Sequence, residues 1–447
     1  MNDIGPYPLE WIDEYVARLR GFVVVREEDS LLIKVPNEAH KLNASAVGIL
    51  KRLFAGEGIL QLWESHGRSP QVQRDLYLFF VGLKQVLQGC VNERRPPEAV
   101  TTRPFSRRFS SLPVLSEVAV TYRCNLRCRF CYAGCGCTRS RESEPEMTTS
   151  EIRRVLRIIQ EEAQVPSLSL TGGEPTLRKD LPELARYARQ ECGLRVNLIS
   201  NGTLIDDVLA GELSDAGLTS AQVSLESHNE AIHDELTRAN GSFRRTIAGI
   251  GHLRDHGIRV HTNTTLNRMN IETADAMPAF VRSLGLERFS MNLVIPTGTS
   301  RAMFPDINLR YGDVSEAVLR IQDQARRNNV EFLWYSPTPV CIFNPIQHQL
   351  GNKGCAACDG LLSVSPRGDV LPCSSWPEPL GNLLRDGFRK TWESARARRL
   401  REKECAPPRC HECENFDLCQ GACPLYWEHF GYQELDRSGE THVVATS

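Results

Sequence analysis

The sequence predicts an α/β protein whose parallel βα units close into a full or partial barrel, with a small winged-helix-like domain before it and a cysteine-rich region after it. Strand-like and helix-like segments alternate between residues 114 and 336, which is typical of parallel βα units. Three short extended runs followed by helical runs precede them. Fourteen of the 16 cysteines fall in two blocks, residues 124–137 and 341–423.

Length and composition limit the class of protein. A chain of 447 residues exceeds one ordinary core, so we expect two or three domains. The net charge of −2 provides no basic field for nucleic acid. No apolar run is long enough for a membrane span, and the N-terminus lacks a basic signal region, so we expect a cytoplasmic protein without a membrane partner. In a reducing cytosol, clustered cysteines more often bind metal than form disulfides.

The first domain is predicted over residues 1–95. Residues 21–25 and 31–35 are apolar, β-branched runs that indicate a hairpin, and residues 40–43 follow as a third extended piece. A helix through 46–54 can be capped by Asn43 or Ser45, and a second helix begins at Ser69-Pro70. The proline-rich, charged residues 96–113 are predicted to be a linker.

Seven strands are predicted in the barrel region, at residues 117–122, 167–170, 195–200, 221–226, 259–266, 288–295 and 330–335. Amphipathic helical segments separate them. In such sheets ligands bind at the carboxyl ends of the strands, and the conspicuous polar motifs of this sequence fall there.

A cysteine motif follows the first of these strands. Cys124, Cys128 and Cys131 have the spacing C-x3-C-x2-C, and three thiolates can hold three irons of a four-iron cube while one iron stays open. A zinc site is the alternative, although zinc loops usually combine a C-x2–4-C pair with a second, distant pair. With Phe130 and Tyr132 around the last cysteine, the segment resembles the radical SAM superfamily.

This resemblance implies a partial (β/α)6 radical SAM barrel over residues 114–336 and an enzyme that reductively cleaves S-adenosylmethionine (SAM) to a 5′-deoxyadenosyl radical. It also implies an external electron donor of the flavodoxin or ferredoxin type. The tract 172–175, whose glycines let the backbone approach a ligand closely, resembles the superfamily's GGEP motif near the methionine amino group. Residues 224–226 resemble its S-L-D segment near the ribose, with Glu for Asp, and residues 233–238 resemble the segment whose arginine pairs with the methionine carboxylate. The implied cofactor-binding residues are Tyr132, Gly172, Gly173, Glu174, Pro175, Asn201, Ser224, Glu226 and Arg238.

The second cysteine field lies in residues 337–430. Its pattern, C-x9-G-x4-C followed by C-x2-C-x5-C-x3-C, resembles the SPASM extension of radical SAM enzymes, which carries auxiliary iron–sulfur clusters. The resemblance implies one or two such clusters. The first would use Cys355 or Cys341 with Cys358, Cys373 and Cys423, and the second would use Cys410, Cys413 and Cys419.

The field departs from the family because no cysteine follows Cys423. The second cluster then recruits Cys405, takes an oxygen or nitrogen ligand, or keeps an open iron. A zinc ribbon remains the alternative for this region. Cys135 and Cys137 do not match the first motif and are either incidental thiols or face the substrate. Residues 431–447 are predicted to be a polar tail.

Residues 40–56 resemble the PqqD family, the prototype of RiPP recognition elements, which bind leader peptides by adding a strand to a sheet edge. The combined prediction is a radical SAM/SPASM maturase that binds a precursor peptide through its leader and forms a thioether, a carbon–carbon crosslink or a related oxidation. The alternatives are a radical SAM enzyme acting on a small molecule or tetrapyrrole, and a non-catalytic metal-binding peptide chaperone. The first domain could also be merely stabilising. No catalytic residue is assigned beyond the cluster.

Overall fold

The computed structural model describes residues 7–36, 38–91, 96–101, 109–135 and 145–437. The chain divides into two compact units, Met1–Val114 and Leu115–Ser447. Cys137 lies outside the described residues. Within the described ranges, no helix has both the length and the apolar character needed to cross a membrane.

The first unit consists of a three-stranded antiparallel sheet and four helices. In chain order these are α1 (Trp11–Leu19), β1 (Val23–Arg26), β2 (Leu31–Lys34), β3 (Glu38–Lys41), α2 (Ala44–Phe54), α3 (Ile59–Ser65) and α4 (Pro70–Leu87). The sheet order is β1-β2-β3. The three strands, α2 and α4 lie within a few residues of their predicted positions, whereas α1 and α3 were not predicted.

Local chemistry explains these elements. The Asn43 side chain accepts a hydrogen bond from the backbone N–H of Ala46 at 2.8 Å and so caps α2, while Pro70 occupies the first turn of α4. The buried Arg26 forms a two-point ion pair with Asp29 and also donates to the carbonyl of Pro113 at 2.7 Å. This pair joins the β1–β2 hairpin to the end of the unit.

The second unit is built on seven parallel strands. They are β4 (Leu115–Thr121), β5 (Ser167–Gly172), β6 (Arg195–Ser200), β7 (Ser220–Ser224), β8 (Arg259–Leu266), β9 (Arg288–Leu293) and β10 (Glu331–Trp334). The helices between them are α5 (Thr149–Glu161), α6 (Leu181–Gln190), α7 (Asp207–Asp215), α8 (Glu230–Thr237), α9 (Ser242–Asp255), α10 (Met277–Ser283), α11 (Gly298–Ala302) and α12 (Tyr311–Arg327).

The cysteine-rich region continues the same sheet. Strand β11 (Leu361–Val364) pairs in parallel with β4, and β12 (Asp369–Leu371) and β13 (Gly381–Asn382) extend the sheet antiparallel. The ten strands have the order β10-β9-β8-β7-β6-β5-β4-β11-β12-β13. Short helices complete the region: α13 (Leu383–Asp386), α14 (Phe388–Trp392), α15 (Ala395–Arg401), α16 (Phe416–Cys419), α17 (Pro424–Phe430) and α18 (Gln433–Arg437).

The predicted fold class is confirmed. All seven predicted strands are present, and the run of parallel strands stays open, with β10 at its outer edge. Because β4 lies between β5 and β11, the segment after β4 is placed where the barrel meets the cysteine-rich region. That segment carries the first cysteine motif.

Candidate active site

The cysteine loop, residues 122–135, follows β4 and brings three thiols together. Burial raises the pKa of Cys124 to about 12, and the nearby Cys131 thiol adds to this effect. Burial also raises the pKa of Cys128 well above its ordinary value, with contributions from Cys131 and Cys124. None of the three is in a disulfide. The loop therefore presents three mutually close thiols, as the spacing predicted.

Main-chain hydrogen bonds hold this loop on two sides. The N–H groups of Arg127 and Arg129 donate to the carbonyls of Thr237 and Leu236 at the end of α8, at 3.1 and 2.9 Å. The backbone N–H and the hydroxyl of Thr299 both donate to the Cys131 carbonyl at 2.9 Å. The loop is thus anchored to two elements that follow it by more than a hundred residues.

The glycines at the end of β5 pack directly against the backbone of the cysteine loop and of the strand before it. The N–H of Gly173 donates to the Thr121 carbonyl at 2.8 Å. A Cβ at Gly172 would lie 2.1 Å from the Thr121 carbonyl oxygen, and one at Gly173 would lie 2.3 Å from that of Arg123. Close approach to a ligand was the expected reason for these glycines. The structure gives a different one, because the backbone of the cysteine loop occupies the space that a side chain would need.

We expect Gly173→Ala to displace the cysteine loop. The overlap is with backbone atoms, so the fold must shift at a cost of about 1–3 kcal/mol, and the protein should retain less iron after anaerobic reconstitution. Thermal unfolding and iron content measure the two effects. Gly251→Ala in α9 is the matched control, since nothing lies within 4 Å of its added Cβ. Equal iron content in both variants would contradict the steric explanation.

Glu174 joins the ends of two neighbouring strands. Its buried carboxylate accepts hydrogen bonds from the hydroxyl of Ser200 at 2.8 Å, the backbone N–H of Asn201 at 2.8 Å and the hydroxyl of Thr176 at 2.6 Å. Burial raises the pKa of Glu174, although these hydrogen bonds act in the opposite direction and lower it. The Asn201 amide donates to the side chain of Asn125 at 2.9 Å and so reaches the cysteine loop. Asn125 is a site residue that the sequence reasoning missed. Pro175 is buried and begins the short 3-10 turn Pro175–Leu177 after Glu174.

Two buried titratable groups follow β7. Glu226 accepts the N–H of Thr265 at 2.9 Å, and burial raises its pKa to about 8, so it is protonated at neutral pH and can donate a hydrogen bond. His233 accepts the backbone N–H of Glu226 at its Nδ1, at 3.2 Å, and burial lowers its pKa to about 4. The neutral ring then carries its proton on Nε2, which is buried without a partner in the described part of the chain. Ser224 ends β7, half-buried, opposite Asn263.

Arg238 follows α8 in the left-handed conformation, with φ of 54°. Its guanidinium lies 5.4 Å from the centre of the Phe304 ring. Across the residues that the structure describes, no carboxylate pairs with it. The carbonyls of the two residues before it accept hydrogen bonds from the cysteine loop, and its exposed guanidinium is available to a ligand carboxylate.

A cavity separates the cysteine loop from the cysteine-rich region. Tyr122 and Tyr132 line it on one side, Ser363 and Ser374 on the other, and the half-buried Glu117 lies between them. The Ser363 hydroxyl donates to Glu117 at 2.6 Å, and burial raises the pKa of Glu117 against such bonds. The sequence reasoning placed Tyr132 at the cofactor and did not single out Glu117.

The later cysteines gather in two groups. Burial and the neighbouring Cys355 and Cys423 thiols raise the pKa of Cys373 well above its ordinary value. Burial and the Cys355 thiol likewise raise those of Cys358 and Cys405. The first group therefore contains five thiols, namely Cys355, Cys358, Cys373, Cys405 and Cys423. The second group contains Cys341, Cys410, Cys413 and Cys419, because burial and then the other three thiols raise the pKa of Cys410 to about 12.

The arrangement of these groups is not that of a single-ion site. In the described ranges, no set of three or more His, Cys, Asp or Glu side chains is placed to hold one metal ion. Thiolates around one tetrahedral zinc lie within about 4 Å of one another, whereas the corners of an iron–sulfur cube separate them further. The donor chemistry, thiols alone and close but not converging on one point, fits clusters.

Cys135 lies at the end of the described loop. A hydrogen bond from its thiol lowers the pKa of Cys131 to about 7. Cys135 therefore lies in contact with Cys131, which its spacing from the motif did not predict.

Comparisons with known proteins agree with this geometry. Residues 118–283 match the model of the radical SAM superfamily, and residues 355–414 match SPASM, an iron–sulfur cluster-binding domain. The chain is 30% identical to the AdoMet-dependent heme synthase of Methanosarcina barkeri over 70% of this chain and 92% of that protein. It is 27% identical to the PqqA peptide cyclase of Rhizobium meliloti, over 74% and 86% of the two chains.

A solved structure is similar over most of the length. The crystal structure of Streptococcus suis SuiB bound to its precursor peptide SuiA superposes with a TM-score of 0.68 over 92% of this chain and 96% of that chain, at 16% identity. This likeness concerns the fold. Because the unmatched remainder is smaller than the N-terminal unit, the similarity extends into that unit.

Proposed function

The chain belongs to the radical SAM superfamily, and from that premise we propose that it modifies a ribosomally made precursor peptide held by its leader. It is an enzyme with a SPASM domain, and its cofactors are SAM, the SAM-binding [4Fe–4S] cluster and auxiliary iron–sulfur clusters. This excludes the non-catalytic chaperone. When bound, SAM and the reduced cluster supply the 5′-deoxyadenosyl radical that abstracts hydrogen from the substrate.

In this proposal the residues of the barrel hold and orient the cofactor. Cys124, Cys128 and Cys131 hold the first cluster, and Arg238 takes the methionine carboxylate of SAM. The protonated Glu226 and the unpartnered Nε2–H of His233 are two donors for the ribose hydroxyls. Glu174 keeps the ends of β5 and β6 together beside this site.

We place the reacting part of the substrate next to the cavity around Glu117, which itself has room for about one water-sized group. This cavity lies between the cysteine loop and Ser374. Ser374 directly follows Cys373, which belongs to the first group of later cysteines. A carboxylate with serine and tyrosine hydroxyls suits a donor group of a peptide better than a flat apolar ring. An oxidation needs a second electron acceptor, and an auxiliary cluster at Cys373 would be adjacent.

The N-terminal unit is the observation that carries the peptide proposal. It consists of a three-stranded sheet and helices, and β3 forms an edge of the sheet to which a leader strand could be added. The heme synthase of M. barkeri matches over almost its whole length with only 70% of this chain, so a large part of this chain has no counterpart in it. We propose residues 1–95 as the leader-binding domain and residues 96–113 as the linker.

A tetrapyrrole substrate is the second candidate, and the 30% identity to an AdoMet-dependent heme synthase favours it. The proposed compartment for either activity is the cytoplasm, where thiols stay reduced and a flavodoxin or ferredoxin can supply electrons.

The decisive experiment offers the reduced full-length enzyme both substrate classes. We expect mass spectrometry to show that a peptide encoded beside the gene loses two hydrogen atoms, while 5′-deoxyadenosine forms in proportion to the product. Iron porphyrins should remain unchanged. A peptide in scrambled order is the control. Conversion of a porphyrin with no modification of the peptide would replace the proposal with the second candidate.

A further inference from the structure

The second group of cysteines contains four thiols, although no cysteine follows Cys423 in the sequence. We propose that Cys341 is the fourth thiolate ligand of the second auxiliary cluster, together with Cys410, Cys413 and Cys419. This rests on the proposed function only in assuming that a second auxiliary cluster is present. Cys341 precedes the matched SPASM segment, residues 355–414, so the family model does not include it.

Main-chain geometry fixes Cys341 beside its partners. The N–H of Val340, the preceding residue, donates to the sulfur of Cys419 at 3.4 Å. The N–H groups of Ile342 and Phe343 both donate to the Pro339 carbonyl, at 2.9 and 3.0 Å, so Cys341 lies in a closed turn. Backbone N–H bonds to ligand sulfurs are typical of iron–sulfur sites, where they tune the potential.

Main-chain hydrogen bonds also keep the other three cysteines together. The N–H of Cys413 donates to the Cys410 carbonyl at 3.1 Å, and the N–H of Phe416 donates to the Cys413 carbonyl at 3.0 Å. Cys419 ends the short helix α16 that begins at Phe416. With Cys341 next to Val340, four thiols share one neighbourhood, which is the number that a cube requires.

The two competing ligands make other contacts. The buried Lys403 donates to the Cys355 carbonyl at 2.5 Å and pairs with Asp359 at 3.2 Å, which brings Cys405 to the first group. His411, beside Cys410, packs its ring edge-to-face on Phe416 at 4.9 Å between centroids. The first group keeps five thiols for one cluster, and the second has four.

This ligation assigns the second cluster a role. A cube with four thiolates has no open iron for a substrate or for SAM. Its role is then to pass electrons from the first group of later cysteines to an external acceptor.

The test uses full-length protein in which Cys124, Cys128 and Cys131 are alanine, so that only auxiliary clusters contribute. Cys341→Ala in this background is compared with Cys90→Ala, which removes an exposed thiol of the N-terminal unit. After reconstitution, mild oxidation with ferricyanide converts a cube lacking one thiolate into a three-iron cluster, releasing one Fe²⁺ and giving one electron to the oxidant. We expect Cys341→Ala to lose about one of roughly eight irons and to show a three-iron EPR signal, with neither change in Cys90→Ala.

Three further variants make the result unambiguous. Cys341→Ser should retain iron but shift the visible charge-transfer band, since oxygen replaces one sulfur. It takes the place of the alanine variant in the test if that variant is unstable. If Cys341→Ala behaves as Cys90→Ala, or if Cys405→Ala or His411→Ala gives the three-iron signal instead, the assignment is wrong. None of these readouts needs a substrate, so the result is independent of whether the enzyme modifies a peptide.

Discussion

Replacing Cys124, Cys128 and Cys131 with alanine should reduce the formation of 5′-deoxyadenosine to the uncatalysed background while the protein stays folded. The three thiols are half-buried beside one another and belong to a loop held by main-chain hydrogen bonds to α8 and α11. Their loss removes the thiolates that the C-x3-C-x2-C spacing provides for the first cluster, of which Cys124 lies near Glu174. Without the first cluster no electron reaches the sulfonium of SAM.

The measurement is an anaerobic assay of 5′-deoxyadenosine with dithionite, combined with iron analysis and circular dichroism. The triple variant should keep about 8 of roughly 12 irons, because the auxiliary groups are untouched. Cys192→Ala controls for the removal of a buried thiol elsewhere in the barrel unit. Wild-type rates in the triple variant would mean that the radical site has been assigned to the wrong residues.

Local sequence patterns were sufficient for part of this site. The spacing of Cys124, Cys128 and Cys131 and the tract 172–175 lie within single turns or strand ends, so the sequence itself keeps their members together. The seven strands were predicted because hydrophobic runs alternate with amphipathic helices. Helices α1 and α3 were missed because they are short, with nine and seven residues. Helices of this length depend on packing against the rest of the core, which the local sequence does not show.

The remainder of the site depends on pairings across long stretches of chain. Glu117 and Ser363 are 246 residues apart and meet only because β11 pairs with β4. Val340 and Cys419 are 79 residues apart, so no motif could assign Cys341 to the second group. The sequence motif identified Gly172 and Gly173 correctly, but it did not show why glycine is needed there. The reason is steric contact with the cysteine loop, which lies about 50 residues earlier in the chain.

Removing the N-terminal unit should leave SAM cleavage intact but abolish most peptide modification at low peptide concentration. A chain that begins at Ser110 retains every residue of the second unit. If the leader is bound elsewhere on the same molecule, its core is presented at an effective concentration in the millimolar range for a short flexible link. Loss of that tether raises the peptide concentration needed, and excess peptide should partly restore product. Product and 5′-deoxyadenosine are measured together across a peptide titration.

A single backbone change can test the same idea without truncation. The N–H of Leu42 donates to the Ser30 carbonyl, so by strand alternation the N–H groups of Ala39 and Lys41 point to the open edge of β3. Ala39→Pro removes one outward donor without breaking the β2–β3 ladder, and we expect it to weaken leader binding about tenfold, equivalent to ~1.4 kcal/mol. Val25→Pro on the outer edge of β1 is the matched control and should bind the leader normally. If the truncated chain modifies its peptide with unchanged apparent affinity, or if both proline variants bind equally well, the unit does not recognise the leader through β3.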